Sequence, residues 1–502
     1  MEKRELSVLE RLFGWLAERM RENRIPLLCG IAAGLLAHMF AFTNKLVNAD
    51  EVWSLFERGA TITSGRWGLE LSKWIFPSIS MPWIYGVISI VLLTVTACVT
   101  IRLFQIRSRC LQALLAAVFV SFPSETGLFC FMFTSAPYAL AFLLAVIAVA
   151  LAERGGKVNW LMSFLLLVLA MGTYQAYVAV VASFFVIRMI QRLLRGEGSA
   201  KEVLLYGVYR LGLLIVSLVV YYLISLAAAR LSGLGFADYG VSRWTSIFYK
   251  IALAYSAFLH TFTRGYFAFV RSPLAMILHF LLALAAAVLL LRWLLRCKDR
   301  ARGLLLVICL LLFPLSAYCI YLIAEVDIIH SLVLVSFLSV YVLAAVVVET
   351  AEGKAGRWSR DAVLLSLLLV MAGNVLFANK VYLKMHFQYE QAYSIYTSII
   401  TQIESTEGFD ADKKVAIVGN GDQQGLEMEE LDAEGLMGPS KNLIDIYTRE
   451  LFMQRYLGFD VSFATTAERR ALQKDERVQA MPCYPYYGSV QVIDDYIVVR
   501  LD

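Results

Sequence analysis

Eleven stretches of this chain are apolar enough, over enough length, to be membrane-crossing helices. A helix needs about 20 apolar residues to span the hydrocarbon core of a bilayer. Runs of this kind lie near 25–43, 82–101, 110–129, 134–152, 158–174, 176–194, 204–229, 274–292, 303–323, 331–349 and 361–379. Of the 502 residues, 59% are hydrophobic and 17% charged, whereas soluble domains carry roughly 45–50% apolar and about 25% charged residues. One globular core cannot hide such an excess, but lipid tails can solvate it from outside. The expected fold is therefore mainly α, a polytopic helical membrane protein with about eleven transmembrane helices. The links between the third and fourth runs, and between the fifth and sixth, are very short and leave re-entrant segments open there.

Charge sets the expected orientation, because Lys and Arg accumulate on the cytoplasmic side. With the N-terminus inside, the inner segments hold 23 Lys and Arg and the outer loops 9, although the outer loops are at least as long. An odd number of spans then leaves residues 381–502 outside. Residues 1–24 place Leu9, Leu12, Phe13, Leu16 and Met20 at helical spacing among charges. They read as a cytoplasmic amphipathic helix lying on the bilayer, or equally as a solvated extension of the first span. No cleavable signal peptide is expected. The transmembrane part covers 25–380, with outer loops at 44–80 and 230–273. From 381 onward the pattern changes to a small extracytoplasmic α/β domain. It has a helix over 381–406, a strand at Lys414–Val418, a helix over 441–457 and a hairpin within 488–501 around Asp494-Asp495. The eight cysteines lie mostly in apolar runs and suggest neither a disulfide framework nor a zinc site. No charged tail suggests nucleic acid as a partner.

Polar residues at the edges of the spans carry the functional signal, since ionisable groups at this depth are costly. Asn48-Ala49-Asp50-Glu51 follows the first span and places two carboxylates at the outer boundary. The same letters also fit a helix cap, with Asn48 as N-cap and Glu51 at capping-box spacing, and a cap can itself position a catalytic acid. Ser64-Gly65-Arg66-Trp67-Gly68 offers Arg66 to a phosphate or carboxylate, or anchors Arg66 and Trp67 in the interface. Tyr174 and Gln175, within Gly172-Thr173-Tyr174-Gln175-Ala176-Tyr177, form either a ligand contact or an interhelical clasp. Glu325, Asp327 and His330 lie between the ninth and tenth runs on the same expected face. They are an additional polar site or a hydrated loop, and their spacing defines no metal site. Arg243 and Arg264 are candidate phosphate ligands on charge and side alone. Gly419-Asn420-Gly421 mimics the start of a dinucleotide fingerprint, but the spacing to Gly425 is too long and an acidic segment follows where an apolar helix is required.

Several of these features together resemble the bacterial glucosyl transferase II family. They are Asp50-Glu51, Ser64-Gly65-Arg66-Trp67, Thr173-Tyr174-Gln175-Ala176 and a C-terminal pattern. That pattern runs through Met481-Pro482, Tyr484-Pro485, Gly488-Ser489-Val490 and Val498-Val499. The resemblance implies a GT-C type fold and a polyprenyl-phosphate sugar donor, most simply undecaprenyl-phosphate glucose. It further implies transfer to a lipid-linked or surface glycan, such as O-antigen, on the outer face of the bacterial cytoplasmic membrane. On that basis Asp50 is the expected base, with Glu51 assisting. Arg66 would stabilise the departing phosphate, and Trp67, Tyr174 and Gln175 would be donor contacts. Inversion at the anomeric carbon follows from a single displacement. No cofactor is required by this scheme, and a divalent cation stays open. A transporter or flippase of lipid-linked sugars is the main rival, followed by a GT-C enzyme with another sugar and by a glycan polymerase or ligase.

Overall fold

The computed structural model describes residues 7–55, 61–235, 247–263, 272–322, 331–420, 443 and 447–502. The described residues separate into two compact units. The first takes residues 1–44 and 60–379; the second takes Lys45–Gly59 and most of the chain from Lys380 onward.

The first unit is a helical bundle. Helix α1 (Val8–Glu22) is amphipathic and opens on a capping box between Ser7 and Glu10. Helix α2 (Arg24–Thr43) follows almost directly. Because the short helix α3 (Ala49–Trp53) belongs to the second unit, the bundle resumes at α4 (Trp67–Ser72) and α5 (Pro82–Leu103). The third expected span is two helices, α6 (Arg109–Ser121) and α7 (Pro123–Cys130). Pro123 causes the break. It has no N–H to continue the ladder, and it forces Phe122 into extended backbone with ψ of 144°. Helix α8 (Met132–Arg154) comes next, then α9 (Lys157–Thr173), α10 (Tyr177–Arg195) and the 32-residue α11 (Ala200–Leu231). Helix α12 (Ile247–Thr263) precedes α13 (Pro273–Arg296) and α14 (Arg300–Ala317). A 3-10 stretch over Ser331–Leu338 leads into α15 (Ser339–Glu349).

Among the described residues, ten helical segments are long and apolar enough to cross a membrane, and the fifth expected run is the shorter apolar helix α9, of 17 residues. The protein is thus a polytopic helical membrane protein. The ninth run is shorter as a helix than expected. Helix α14 ends at Ala317, three residues after Pro314, and a 3-10 turn over Cys319–Leu322 follows. The last run is longer: α16 (Gly353–Ser405) continues unbroken for 53 residues. Its portion through Asn379 belongs to the first unit, and the remainder to the second.

The second unit is built on a three-stranded sheet ordered β1-β3-β2. Strand β1 (Lys414–Val418) runs parallel to β3 (Tyr496–Arg500), and β2 (Val490–Ile493) pairs antiparallel with β3 across a tight turn. Asp494 takes φ of 53° there, a conformation that Asp tolerates better than most residues. Alternate residues of β1 point to opposite faces, and both faces are covered. Val415 and Ile417 join a core with Ala392, Tyr396, Ile399 and Ile403 of α16 and Phe452 of α17 (Arg449–Leu457). Ala416 and Val418 pack instead with Leu472 of α18 (Thr466–Leu472) and Val478 of α19 (Glu476–Ala480). The expected helix over 441–457 is observed over Arg449–Leu457; most of 441–446 lies outside the described residues.

The glycine turn after β1 has a structural occupant. Asp502 accepts the Asn420 N–H at 3.0 Å, and the buried Arg449 donates to the carbonyls of Ile417 and Gly419, both at 2.6 Å. The Asn420 N–H, which a bound phosphate would require, is thus already taken within the protein.

Candidate functional site

Two of the sequence motifs meet in the first unit. Ser64-Gly65-Arg66-Trp67 lies against Gly172-Thr173-Tyr174-Gln175, more than 100 residues away in the chain. Gln175 donates from Nε2 to the Ser64 carbonyl at 2.7 Å and to the Tyr221 hydroxyl at 2.9 Å. Gly65 adopts φ of 70°, and a Cβ there would stand 2.7 Å from the Tyr221 hydroxyl. The Trp67 indole rests directly on Gly172, where a Cβ would come within 2.3 Å of the ring. Gly172→Ala is therefore expected to force the two segments apart and to lower stability by about 1–3 kcal/mol. A thermal melt of the purified protein, taken alongside its transfer rate, checks this; an unchanged melt would mean that the contact is not tight.

Arg66 sits in a tyrosine-lined recess. Its guanidinium donates to the Tyr138 hydroxyl at 3.1 Å and lies 5.3 Å from the centre of the Tyr174 ring. Tyr138 and Tyr174 are stacked with centroids 4.4 Å apart, and Tyr177 donates to the Tyr138 carbonyl at 2.8 Å. Stacking and a hydrogen bond hold a guanidinium in one orientation, which suits recognition of an oxyanion. The buried Tyr174 hydroxyl and the Trp67 indole N–H have no hydrogen-bond partner among the described residues. Buried polar atoms of this kind are ordinarily satisfied, so both are groups that a ligand could engage.

The acidic pair belongs to the second unit, and its two members differ. Asn48 caps α3 by accepting the Glu51 N–H at 2.8 Å. Glu51 is fully buried and its carboxylate is paired with Lys45. Its second oxygen, Oε2, has no hydrogen-bond partner among the described residues. Asp50 is exposed. The segment is held firmly: Val47 and Val52 are part of the core of this unit, and Arg455 of α17 donates to the carbonyls of Val52 and Trp53 at 2.9 and 2.7 Å. Burial first, and then the Glu51 charge, keep the Tyr456 hydroxyl well above its usual titration range.

One ionisable residue was not singled out from the sequence. Glu125 of α7 is 2% exposed, and its Oε1 has no hydrogen-bond partner among the described residues. It lies close enough to Tyr174 and Tyr177 to act on both electrostatically. Its neighbour Ser124 donates to the Ser331 carbonyl at 2.5 Å. The available signal was one carboxylate inside an apolar run, two residues after a proline. Arg243, Arg264, Glu325, Asp327 and His330 lie outside the described residues. No group of three or more His, Cys, Asp or Glu among the described residues is arranged to hold a metal ion.

No curated protein and no solved structure matches the chain. The family model for glucosyl transferase GtrII matches residues 39–348, a span containing the acidic pair, the Arg66 recess and Glu125. The chain, a membrane-embedded glycosyltransferase by that match, belongs to the glucosyl transferase GtrII family.

Proposed function

We propose that the protein transfers a hexose, most simply glucose, from a polyprenyl-phosphate carrier to a lipid-linked or surface glycan. The reaction takes place on the outer face of a bacterial cytoplasmic membrane, with the N-terminus inside and residues 381–502 outside. The observation that carries this reading is the Arg66 recess. There a guanidinium is fixed against two tyrosine rings, beside a half-buried indole and a buried phenol hydroxyl that have no hydrogen-bond partner among the described residues. A phosphodiester joining a polyprenol to a sugar offers the complementary chemistry, with an anionic phosphate for the guanidinium and a hydroxylated ring for the aromatic and polar groups. Family membership supplies the reaction class.

In the proposed step the acceptor hydroxyl attacks the anomeric carbon and the bond to the carrier phosphate breaks. Asp50 takes the hydroxyl proton as general base, and Glu51 holds Asp50 and α3 in place. Arg66 stabilises the charge arriving on the phosphate, while Trp67, Tyr174 and Gln175 contact the donor. One displacement inverts the anomeric configuration.

The test uses the full-length protein, purified in detergent, with undecaprenyl-phosphate glucose and an acceptor glycan. A new glycosidic bond of inverted configuration is the expected product. Turnover confined to a mannosyl or galactosyl carrier would reassign the sugar. Turnover only with a diphosphate-linked glycan would make the protein a polymerase or ligase. Movement of the lipid-linked sugar across vesicles without a new bond would make it a transporter.

A further inference from the structure

At the other end of α9, away from the junction with Trp67, the first unit carries a second basic site. Glu153, at the end of α8, is 10% exposed and is surrounded by cations. Arg188 donates to it at 3.0 Å, Arg192 pairs with it at 3.4 Å and Arg210 at 3.7 Å, while the Tyr206 hydroxyl donates to its other oxygen at 2.5 Å. Arg192 and Arg210 both lie over the Tyr206 ring, at 4.2 and 4.9 Å from its centre. One carboxylate thus orders three guanidinium groups from two helices and neutralises only one of them.

The surplus charge borders a crevice of about 720 Å³. Its lining includes Lys157, Arg192 and Arg210 as cations and Glu202 as the one acid. Glu202 is already engaged at the start of α11, where its carboxylate accepts the Ser199 N–H at 2.6 Å. Lys157 is exposed and makes no ion pair among the described residues. The remaining lining is apolar and aromatic: Trp160, Leu205 and Tyr209 are 42%, 47% and 65% exposed on helices of membrane-spanning composition. Basic groups above a lipid-facing apolar rim match an amphiphile with an anionic head.

We infer that this crevice binds the phosphate headgroup of an anionic phospholipid, with its acyl chains along Trp160, Leu205 and Tyr209. Arg192 and Arg210 supply the oriented N–H donors and Lys157 a point charge. The pinning of both arginines by Glu153 and Tyr206 lowers the entropy lost on binding. A zwitterionic lipid of the same chain length lacks the net charge that the three cations select. This site is independent of the proposed donor recess.

The test is lipid retention by the full-length protein in native mass spectrometry, with phosphatidylglycerol and phosphatidylcholine of identical chains. Phosphatidylglycerol should be retained and phosphatidylcholine lost. Lys157→Gln and Arg192→Gln should each lower phosphatidylglycerol occupancy about fivefold, whereas Arg300→Gln, a basic residue outside the crevice, should not. In Arg192→Gln, Glu153 keeps Arg188, Arg210 and Tyr206. Lys157 is exposed and makes no ion pair among the described residues, so its variant remains informative if Arg192→Gln proves unstable. Equal retention of the two lipids, or unchanged phosphatidylglycerol occupancy in folded Lys157→Gln, would overturn the proposal. Displacement of the lipid by millimolar inorganic phosphate would also overturn it, because the site would then be one for a free anion.

Discussion

Asp50→Asn is expected to lower hexose transfer by about 10²- to 10⁴-fold, the usual contribution of a general base, while the protein still folds. The amide keeps the shape of the side chain but cannot take a proton. Asp50 is exposed, so the change leaves no cavity, and the Asn48 cap on α3 is untouched. Losing one charge in the first turn of a helix costs only about 0.3–1 kcal/mol. Glu51→Gln should behave differently. It removes the buried negative charge that pairs with Lys45 and should reduce the melting temperature as well as the rate. Transfer rates and melts of both variants check this pair of expectations. Near-normal transfer by Asp50→Asn would remove it from the base role.

Arg66→Ala is expected to reduce transfer by about 10²- to 10³-fold, the range seen when a single group that stabilises developing charge is deleted. Arg66→Lys should recover only part of this. Lysine restores the charge but cannot keep both the planar contact with Tyr174 and the directed bond to Tyr138. The discriminating measurement is the split between kcat and KM. If Arg66 acts on charge that develops during bond cleavage, kcat falls more than KM rises. A change confined to KM would show that Arg66 only binds the ground state.

Much of the helical frame was legible because hydropathy is a property of single segments. What escaped depended on pairs. The motifs around Arg66 and Gln175 were each visible, but their meeting rests on an indole lying on Gly172, which no local pattern encodes. The capping role of Asn48 was readable, since its reach is three residues. The unequal fates of Asp50 and Glu51 were not, because Val47 and Val52 find their core on α16 and α17, hundreds of residues later. Glu125 lies in an apolar run whose overall hydropathy a single carboxylate hardly alters. Pro123 stood in plain view, yet the length of the apolar run concealed the break it makes between α6 and α7.

The anchoring of α3 also bears on how the enzyme comes into being. The acidic pair is translated right after the first membrane-crossing helix, yet the residues that seat it, Ala392 to Leu501, are made much later. During synthesis the bundle can insert and pack while the acidic pair has no platform. On the base role proposed for Asp50, a chain lacking β1–β3 is expected to insert into the membrane yet to transfer no sugar.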